Sequence, residues 1–370
     1  QNTTTDSTSI VAITNLSLST AEISGNGSTA TLAGMNRGEI INVTATGTIT
    51  SNGSNTGGLV GYSNGGNVAE SSATVQVITD GNKSGGLIGT AGGDASISDS
   101  WADGNVNGTK NVGGLIGKVE SQQGAEIVGS SHATGDINGT KKVGGLIGFN
   151  NDSDSTIENL SATGNVRGKS KVGGLIGQHR GGDIIQSAAS GDIYVTSSEG
   201  YQLGGLIGLI GYNTHINVTQ SSATGNITGG DDVGGLIGDY YYKGNVTDSY
   251  ASGTVTGESG IGGLIGASTT NVISSNTTAN VSGNDDVGGL IGETSGNIRN
   301  SAFDGNISGE SNIGGIVGDT DGNIINTHAS ADISGKKDVG GLAGENWGNI
   351  RNSNASGDVQ ATTDVGGDPL

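Results

Sequence analysis

Residues Val143-Gly144-Gly145-Leu146-Ile147-Gly148 form a six-residue motif that the chain repeats along most of its length. The same six residues begin again at Val172, Val233 and Val287. Further copies and close variants have their first glycine at Gly57, Gly85, Gly113, Gly204, Gly262, Gly314, Gly340 and, truncated, at Gly366. From Gly57 onward, the first glycines of successive copies lie 26 to 31 residues apart. A fixed period in the range of about 20 to 50 residues predicts a solenoid or a repeat array.

Composition limits the classes of protein that this chain can represent. Its 370 residues include 74 Gly, one Pro and no Cys, and its net charge is −20. The absence of Cys excludes disulfides and thiolate metal sites. The acidic balance argues against nucleic acid or an anionic membrane as a partner, and no apolar run approaches the roughly 20 residues of a membrane span. Because the chain starts at Gln1 rather than Met, we expect that an export signal has been removed.

The last full repeat, Val339 to Asp364, shows how one coil is expected to form. It contains three apolar runs of strand length, separated by Gly, Asn and Asp, which suit tight corners. No run shows the period of a helix. The sequence therefore predicts an all-β parallel β-helix (β-solenoid) of about a dozen coils, with about three short strands in each coil.

Three positions recur in register when the coils are aligned. The apolar residue of the third strand is always Val or Ile: Ile49, Val77, Val106, Ile137, Val166, Ile193, Ile227, Val255, Val281, Ile307, Ile333 and Val359. Four residues earlier the residue is usually Ala. In one coil this position is Phe303 and Ala302 precedes it, which suggests that the large and small side chains have exchanged places by one residue there. Two residues before that position, Ser or Thr recurs, as in Ser71, Ser100 and Ser131. A buried hydroxyl needs a partner, so we expect a ladder of serines along the stack.

The glycine pair has two possible explanations. Adjacent residues without Cβ let a strand bend or let another backbone approach closely. A phosphate-binding turn is the alternative, but no copy is followed by Lys-Ser/Thr or by a helical pattern.

The two ends of the chain differ from the repeats. Residues 1–27 are predicted to be an N-terminal strand that is a cap or a donor segment, and residues 28–370 to be the solenoid, ending in an uncapped partial coil. Ala30 to Gly34 resembles a degenerate first copy. Either residues 1–27 cap their own first coil, or they complete the open coil of a neighbouring copy, which would propagate as a filament. The residues predicted to take part in this self-association are Ile10, Ala12, Leu16, Leu18 and Val365.

Candidate chemical groups do not form a recognisable catalytic motif. His132 and His328 occupy equivalent positions far apart, while His179 and His215 are predicted in loops. The acid pair Asp231-Asp232, like Asp285-Asp286, is either a solvated corner or part of a calcium site. Tyr240 to Tyr242 are either local packing or a ligand contact. We therefore predict no enzymatic activity, no metal and no cofactor.

Asn-x-Ser/Thr sequons are frequent and fit a glycosylated surface protein. The candidate glycosylation sites are Asn15, Asn42, Asn107, Asn138, Asn217, Asn226, Asn245, Asn280 and Asn306.

Gly-Gly-Leu-Ile-Gly followed by Asn-Ile-x-Asn-Ser-x-Ala-x-Gly-Asn-Val resembles the GLUG repeat, in which U is a hydrophobic residue. Residues 57 to 367 carry the pattern, with Ile316 in place of the Leu and Ala343 in place of the U residue. The resemblance implies an exported β-solenoid of the kind found in large secreted or surface-anchored microbial proteins, including adhesins. It transfers no catalytic residue to this chain.

Our primary hypothesis is a noncatalytic extracellular structural protein, a subunit of a cell-surface filament, stalk or layer that associates head to tail with itself. The second hypothesis is an adhesin-type module that binds surface proteins or glycans. The third is a carbohydrate-active enzyme, which a groove of clustered carboxylates would favour.

Overall fold

The computed structural model describes residues 11–120, 125–153, 155–195, 200–211 and 215–362. Within these ranges every regular element is a β-strand and every pairing between strands is parallel. The strands stack into a β-solenoid of three sheets, which confirms the predicted fold class.

Sheet A is the wide side of the solenoid and contains 32 strands. They are Ala12–Gly25, Glu39–Ser51, Asn67–Ala69, Ser72–Thr79, Ser96–Ser98, Trp101–Ala102, Val106–Asn107, Glu126–Val128, His132–Ala133, Ile137–Asn138, Ile157–Glu158, Ser161–Ala162, Val166–Gly168, Ile184–Ile185, Ala188–Ala189, Ile193–Val195, Ile216–Thr219, Ser222–Ala223, Ile227–Thr228, Gly244–Thr247, Tyr250–Ala251, Thr254–Thr256, Asn271–Ile273, Asn276–Thr277, Asn280–Ser282, Ile298–Arg299, Ala302–Ser308, Ile324–Ile325, His328–Gly335, Ile350–Arg351, Asn354–Ser356 and Val359–Ala361.

Sheets B and C are the two narrow sides, with 11 and 12 strands. Sheet B contains Thr56–Gly57, Asn82–Gly85, Lys110–Gly113, Lys141–Gly144, Ser170–Gly173, Tyr201–Gly204, Asp231–Gly234, Ser259–Gly262, Asp285–Gly288, Ser311–Gly314 and Lys337–Gly340. Sheet C contains Ala33–Asn36, Val60–Asn64, Ile88–Gly92, Ile116–Val119, Ile147–Asn150, Ile176–His179, Ile207–Ile210, Ile237–Tyr240, Ile265–Ser268, Ile291–Thr294, Val317–Thr320 and Ala343–Asn346.

A typical coil contributes one strand to sheet B, one to sheet C and three short segments to sheet A. The coil that begins at Lys141–Gly144 continues through Ile147–Asn150 into three sheet A segments of two or three residues. The number of sheets agrees with the prediction, but the number of strand segments does not. Sheet A is divided because residues in the left-handed region, such as Asn159 (φ 56°), interrupt its hydrogen bonding.

The aligned apolar positions form the core. Ile49, Ile137 and Val255 are at most 1% exposed, and each stacks directly on its counterpart in the next coil. The expectation that Phe303 displaces bulk by one place is wrong. Phe303 is buried and keeps the register position between Thr277 and Ala329. Its ring lies over Gly289, where the missing Cβ leaves the room that the ring occupies.

The recurring serines form a ladder, but not between hydroxyls. The amide nitrogen of Ser71 donates to Oγ of Ser100 at 3.1 Å, and that of Ser100 donates to Oγ of Ser131 at 3.2 Å. Each hydroxyl in turn donates to a carbonyl of its own coil, as Ser100 Oγ does to Ser98 at 2.7 Å. The ladder thus satisfies a buried amide at the point where the sheet A strand is interrupted.

The glycine pair allows sheets B and C to approach each other through their backbones. A Cβ on Gly145 would collide with the carbonyl oxygen of Gly174 in the next coil, and one on Gly144 would collide with that of Ile147. Every full repeat of the motif therefore needs glycine because another backbone approaches closely there, and not because the turn binds phosphate.

Candidate functional site

The residue before the Val of each motif adopts an unusual backbone conformation. Lys142, at φ 57°, and Asp232, at φ 53°, lie in the left-handed region although neither is glycine. These residues are skipped in the sheet B register, in which Lys110 pairs with Lys141 and then Val112 with Val143. Because each of them is passed over equally in both paired strands, it is a left-handed kink that stays in register from coil to coil, and at Lys142 and Gln202 it brings the side chain to sheet C.

The outward side chains of sheet B meet those of the third residue in the sheet C strands. Asn55 accepts a hydrogen bond from Thr90 at 2.8 Å, and Gln202 donates one to Asp239 at 2.8 Å. We call this surface the charged face. It consists of the first two residues of each sheet B strand, the third residue of each sheet C strand, and Glu120 and Arg180 beside them.

Charge on this face is segregated along the solenoid axis. Its basic half lies in the strands that precede Tyr201–Gly204: Lys83, Lys110, Lys118, Lys141, Lys142, Lys171 and Arg180. Its acidic half lies in the strands that follow: Asp231, Asp232, Asp239, Asp285, Asp286, Glu293, Asp319, Asp338 and Glu345. The exceptions are Glu120, which pairs with Lys83 and Lys118, and Lys337, which pairs with Asp338. Tyr201–Gly204 is the sixth of the 11 strands in sheet B, so the change of sign falls at its centre.

The basic half is concentrated around one aromatic ring. Lys142 Nζ lies 3.5 Å from the centroid of the Phe149 ring, and Arg180 Cζ and Lys118 Nζ lie 5.0 and 5.9 Å from it. Burial lowers the pKa of Lys142 to about 7, and the positive charges of Arg180 and Lys110 act in the same direction. These cations are held together although they repel one another, and the ring face compensates only part of that repulsion.

The acidic half shows the corresponding repulsion between carboxylates. Burial, together with the charges of Asp239 and Asp231, raises the pKa of Asp232 to about 7. Burial also raises the pKa of Asp239 to about 6. The expectation that Asp231-Asp232 is either a solvated corner or a calcium site is incomplete, because Asp232 lies within a sheet B strand and is mostly buried. No three of the His, Asp and Glu side chains within the described ranges are placed to hold a metal ion.

All nine candidate glycosylation asparagines lie on or beside strands of sheet A. In several of them the side-chain nitrogen donates a hydrogen bond to a neighbouring coil. Asn42 Nδ2 donates to Asn15 Oδ1 at 2.7 Å, and Asn226 Nδ2 donates to Asp192 at 3.1 Å. N-linked glycans attach at Nδ2, so a glycan at these positions would compete with the ladder. Asn138 and Asn306 are exposed and carry no such bond within the described part of the chain.

The structure places the predicted self-association residues at the N-terminal end, except for Ile10 and Val365, which lie outside the described residues. Ala12, Leu16 and Leu18 belong to the strand Ala12–Gly25, which pairs with Glu39–Ser51 of its own chain. Ala12 and Leu16 are exposed, whereas Leu18 packs against the core. Among the described residues this strand is paired along one edge only.

The prediction that His179 lies in a loop is wrong. His179 ends the sheet C strand Ile176–His179 and is fully buried. Its Nδ1 accepts from Asn150 Nδ2 at 3.2 Å, and its Nε2 donates to the Gly182 carbonyl at 2.8 Å. Burial lowers the pKa of His179 to about 4, so this side chain is a neutral structural link between coils. Alignment of the coils could have placed it, because His179 is in register with Asn150 and Ile210, which also end sheet C strands.

Tyr240 differs from its two neighbours. It is buried and its hydroxyl donates to the Ile216 carbonyl, whereas Tyr241 and Tyr242 are 65% and 37% exposed. Local packing therefore explains Tyr240, and the two exposed tyrosines form a tilted aromatic pair with centroids 5.8 Å apart.

These features define the class of protein: a three-sided parallel β-solenoid with in-register ladders in its core and segregated charge on one face. The GLUG motif matches residues 139–167, 229–256 and 337–360, so the chain carries the GLUG repeat that its sequence resembles. No curated protein and no solved structure matches the chain. The described residues contain no helix long and apolar enough for a membrane crossing.

Proposed function

We propose that the chain is a noncatalytic structural protein of an extracellular filament, stalk or surface layer, and that its copies associate end to end. The proposal depends on one observation: the core ladders continue to both ends of the described solenoid, where their last members are exposed.

The N-terminal end exposes apolar side chains that belong to core ladders. Ile13 is 37% exposed, whereas Ile40, its partner in the register, is fully buried. Leu16 is 38% exposed above the fully buried Val43. A cleft of about 610 Å³ opens beside Ile13 and contains Met35.

The C-terminal end shows the same contrast. Ile350 is 42% exposed, whereas its partner Ile324 is fully buried. Val359 is 46% exposed beside Ile333, which is 3% exposed. Exposed members of an otherwise buried ladder are apolar surface that favours association.

The two ends match in register. Ile13 and Ile350 stand at opposite ends of one ladder, which passes through Ile40 and Ile324. Ile23 and Val359 likewise stand at opposite ends of the ladder through Ile49. A strand Ala12–Gly25 from one copy, placed on the last sheet A segments of another, would therefore continue both of these sheet A ladders. Such a contact is heterologous and propagates without closing.

Electron microscopy of the purified chain tests this proposal. A dozen coils at roughly 4.8 Å each give a rod of about 60 Å, so we expect filaments whose lengths are multiples of that value. Immunogold labelling of intact cells of the native source should mark the outer surface. Single rods at high concentration, or label confined to broken cells, would contradict the proposal.

The alternative is an adhesin-type module that binds glycan or protein. A groove of about 350 Å³ on sheet A supports it, because hydrogen-bonding side chains of Asn280, Asn306, Asp332 and Gln360 line it. Sugars are recognised through such groups, and a glycan array tests the idea directly. Binding that is lost in Asp332→Ala with Asn306→Ala, but kept in Asp304→Ala, would favour the adhesin.

A further inference from the structure

The charged face has a pattern that neither end-to-end association nor the repeat explains. Seven of the 15 Lys and Arg residues of the chain lie in its basic half. A solenoid needs only that exposed residues be polar, so nothing in the stacking of coils requires cations to precede the central strand and carboxylates to follow it. Like charges in adjacent coils cost stability.

We propose that the charged face is a self-recognition surface, on which two copies of the chain pair antiparallel about a two-fold axis through the central sheet B strand, Tyr201–Gly204. The partner is a second copy because the face is complementary to itself. A basic ligand would match only one half of the face and an acidic ligand only the other. An isologous contact is the arrangement in which both halves find their complement.

The strand order gives the pairs that this axis would create. Lys171 is in the fifth strand of sheet B and would face Asp232, in the seventh strand of the other copy. Lys110 is in the third strand and would face Asp285, in the ninth. In sheet C, Lys118 lies in the same coil as Lys110, and Glu293 lies in the same coil as Asp285, so these two side chains would also face each other. The face extends over 11 strands, about 48 Å at the usual spacing, so the attraction acts along most of the rod.

The monomer leaves these charges only partly compensated. Within the described ranges, no carboxylate lies in ion-pair contact with Lys142 or Lys171. Asp232 is bordered by the carboxylates of Asp231 and Asp239, and its backbone lies in the left-handed region. Charged side chains that repel their neighbours are stabilised when a partner places an opposite charge beside them. Such charge pairs favour the correct orientation and a fast association rate more than they raise the affinity.

This pairing is independent of the end-to-end contact. It buries a side of the rod and closes at two copies, whereas the end contact uses the exposed ladder members and propagates. The two can therefore be measured separately.

Sedimentation of charge variants is the first test. The test uses Ile13→Asp as the background, because a charge at the N-terminal end blocks end-to-end association. At low ionic strength we expect this chain to form dimers, and at about 1 M salt, where the Debye length is about 3 Å, we expect the dimers to dissociate. Lys110→Glu with Lys171→Glu should weaken dimerisation about a hundredfold, at roughly tenfold for each substitution. Adding Asp285→Lys and Asp232→Lys, at the two positions that these lysines would face, should restore it. Arg299→Glu, an exposed reversal on sheet A, is the matched control and should change nothing.

Cross-linking tests the antiparallel geometry. The chain has no Cys, so a single introduced thiol reports one contact. Tyr201→Cys lies beside the proposed axis and should form a disulfide with its own copy. Lys141→Cys and Ser259→Cys lie in the fourth and eighth strands; each should fail alone, and a mixture of the two should cross-link.

An Ile13→Asp chain that stays monomeric at low salt would overturn the proposal. So would dimers that are insensitive to the charge reversals, or cross-linking of Lys141→Cys with itself. Loss of the open-ended assemblies with salt-sensitive dimers intact would contradict the proposed function and leave this pairing standing.

Discussion

The amide nitrogen of Ser249 donates a hydrogen bond to Ser275 Oγ, one coil away, at 3.1 Å. The hydroxyl of Ser275 donates in turn to the Ile273 carbonyl at 3.0 Å. Both groups are buried where sheet A is interrupted, so the serine hydroxyl accepts the hydrogen bond that the interrupted strand does not provide.

Replacing Ser275 with Ala should therefore destabilise the solenoid. The Ser249 amide would lose its buried partner, at a cost of about 1 to 3 kcal/mol in the free energy of unfolding. Urea denaturation measures the change. Ser308→Ala, at an exposed sheet A position, should have little effect, and equal effects of the two substitutions would contradict the ladder.

The Val and Ile ladder makes a second prediction. Ile307 is 2% exposed, so Ile307→Asp would bury a charge with no partner and should cost about 4 kcal/mol or more. The control is Asn306→Asp, at the preceding residue, whose side chain is exposed. Thermal unfolding followed by circular dichroism separates them, and a parent-like transition for Ile307→Asp would show that the ladder is not the core.

The glycine pair makes a third prediction. Gly145→Ala would drive its Cβ into the Gly174 carbonyl, and the resulting overpacking should cost about 3 kcal/mol. Gly27→Ala is the control, because no atom lies within 4 Å of a Cβ built there. Comparable stability of the two variants in urea would contradict the close backbone approach of successive coils at the glycine pair.

The carboxylates of the charged face predict an unusual dependence of stability on pH. Because the pKa of Asp232 is raised to about 7, the folded chain binds this proton more tightly than the unfolded chain. Its contribution to folding should therefore become more favourable as pH falls through about 7, and level off below the unfolded value near 4. Asp239, with its pKa at about 6, acts in the same sense.

Asp232→Asn isolates this effect. The difference in unfolding free energy between the variant and the parent should be larger at pH 8 than at pH 5, with the variant more stable at pH 8. His179 has the opposite dependence in both proteins, because its pKa is lowered, and it cancels in the difference. The measurement is made at low protein concentration, and a difference independent of pH would be the contrary result.

Much of the core could be predicted from the sequence because its period is short and its positions recur. The Val and Ile ladder, the serine positions and the need for glycine all follow from alignment of coils. The residues that meet across sheets could not be predicted. Lys142 and Phe149 come together where the left-handed backbone at Lys142 brings that side chain to sheet C.

The charged face could not be predicted from the sequence for the same reason. The acid pairs were visible in the sequence, but their contact with Asp239 and Glu293 requires the register between sheets B and C. His179 was wrongly predicted in a loop because its polar side chain does not resemble the other residues of the short apolar run, although it is in register with Asn150 and Ile210.

The most direct test of the central claim, that copies associate end to end, uses two variants with opposite damaged ends. Ile13→Asp blocks the N-terminal end and Val359→Asp blocks the C-terminal end, while Ile78→Asp places the same change at an exposed position that has a paired coil on both sides. Sedimentation velocity in about 1 M salt suppresses pairing through the charged face, because charges are then screened within about 3 Å. We predict that each end variant is monomeric, that their equimolar mixture stops at dimers, and that Ile78→Asp assembles like the parent. A mixture that stays monomeric, or end variants that assemble like the parent, would contradict the account.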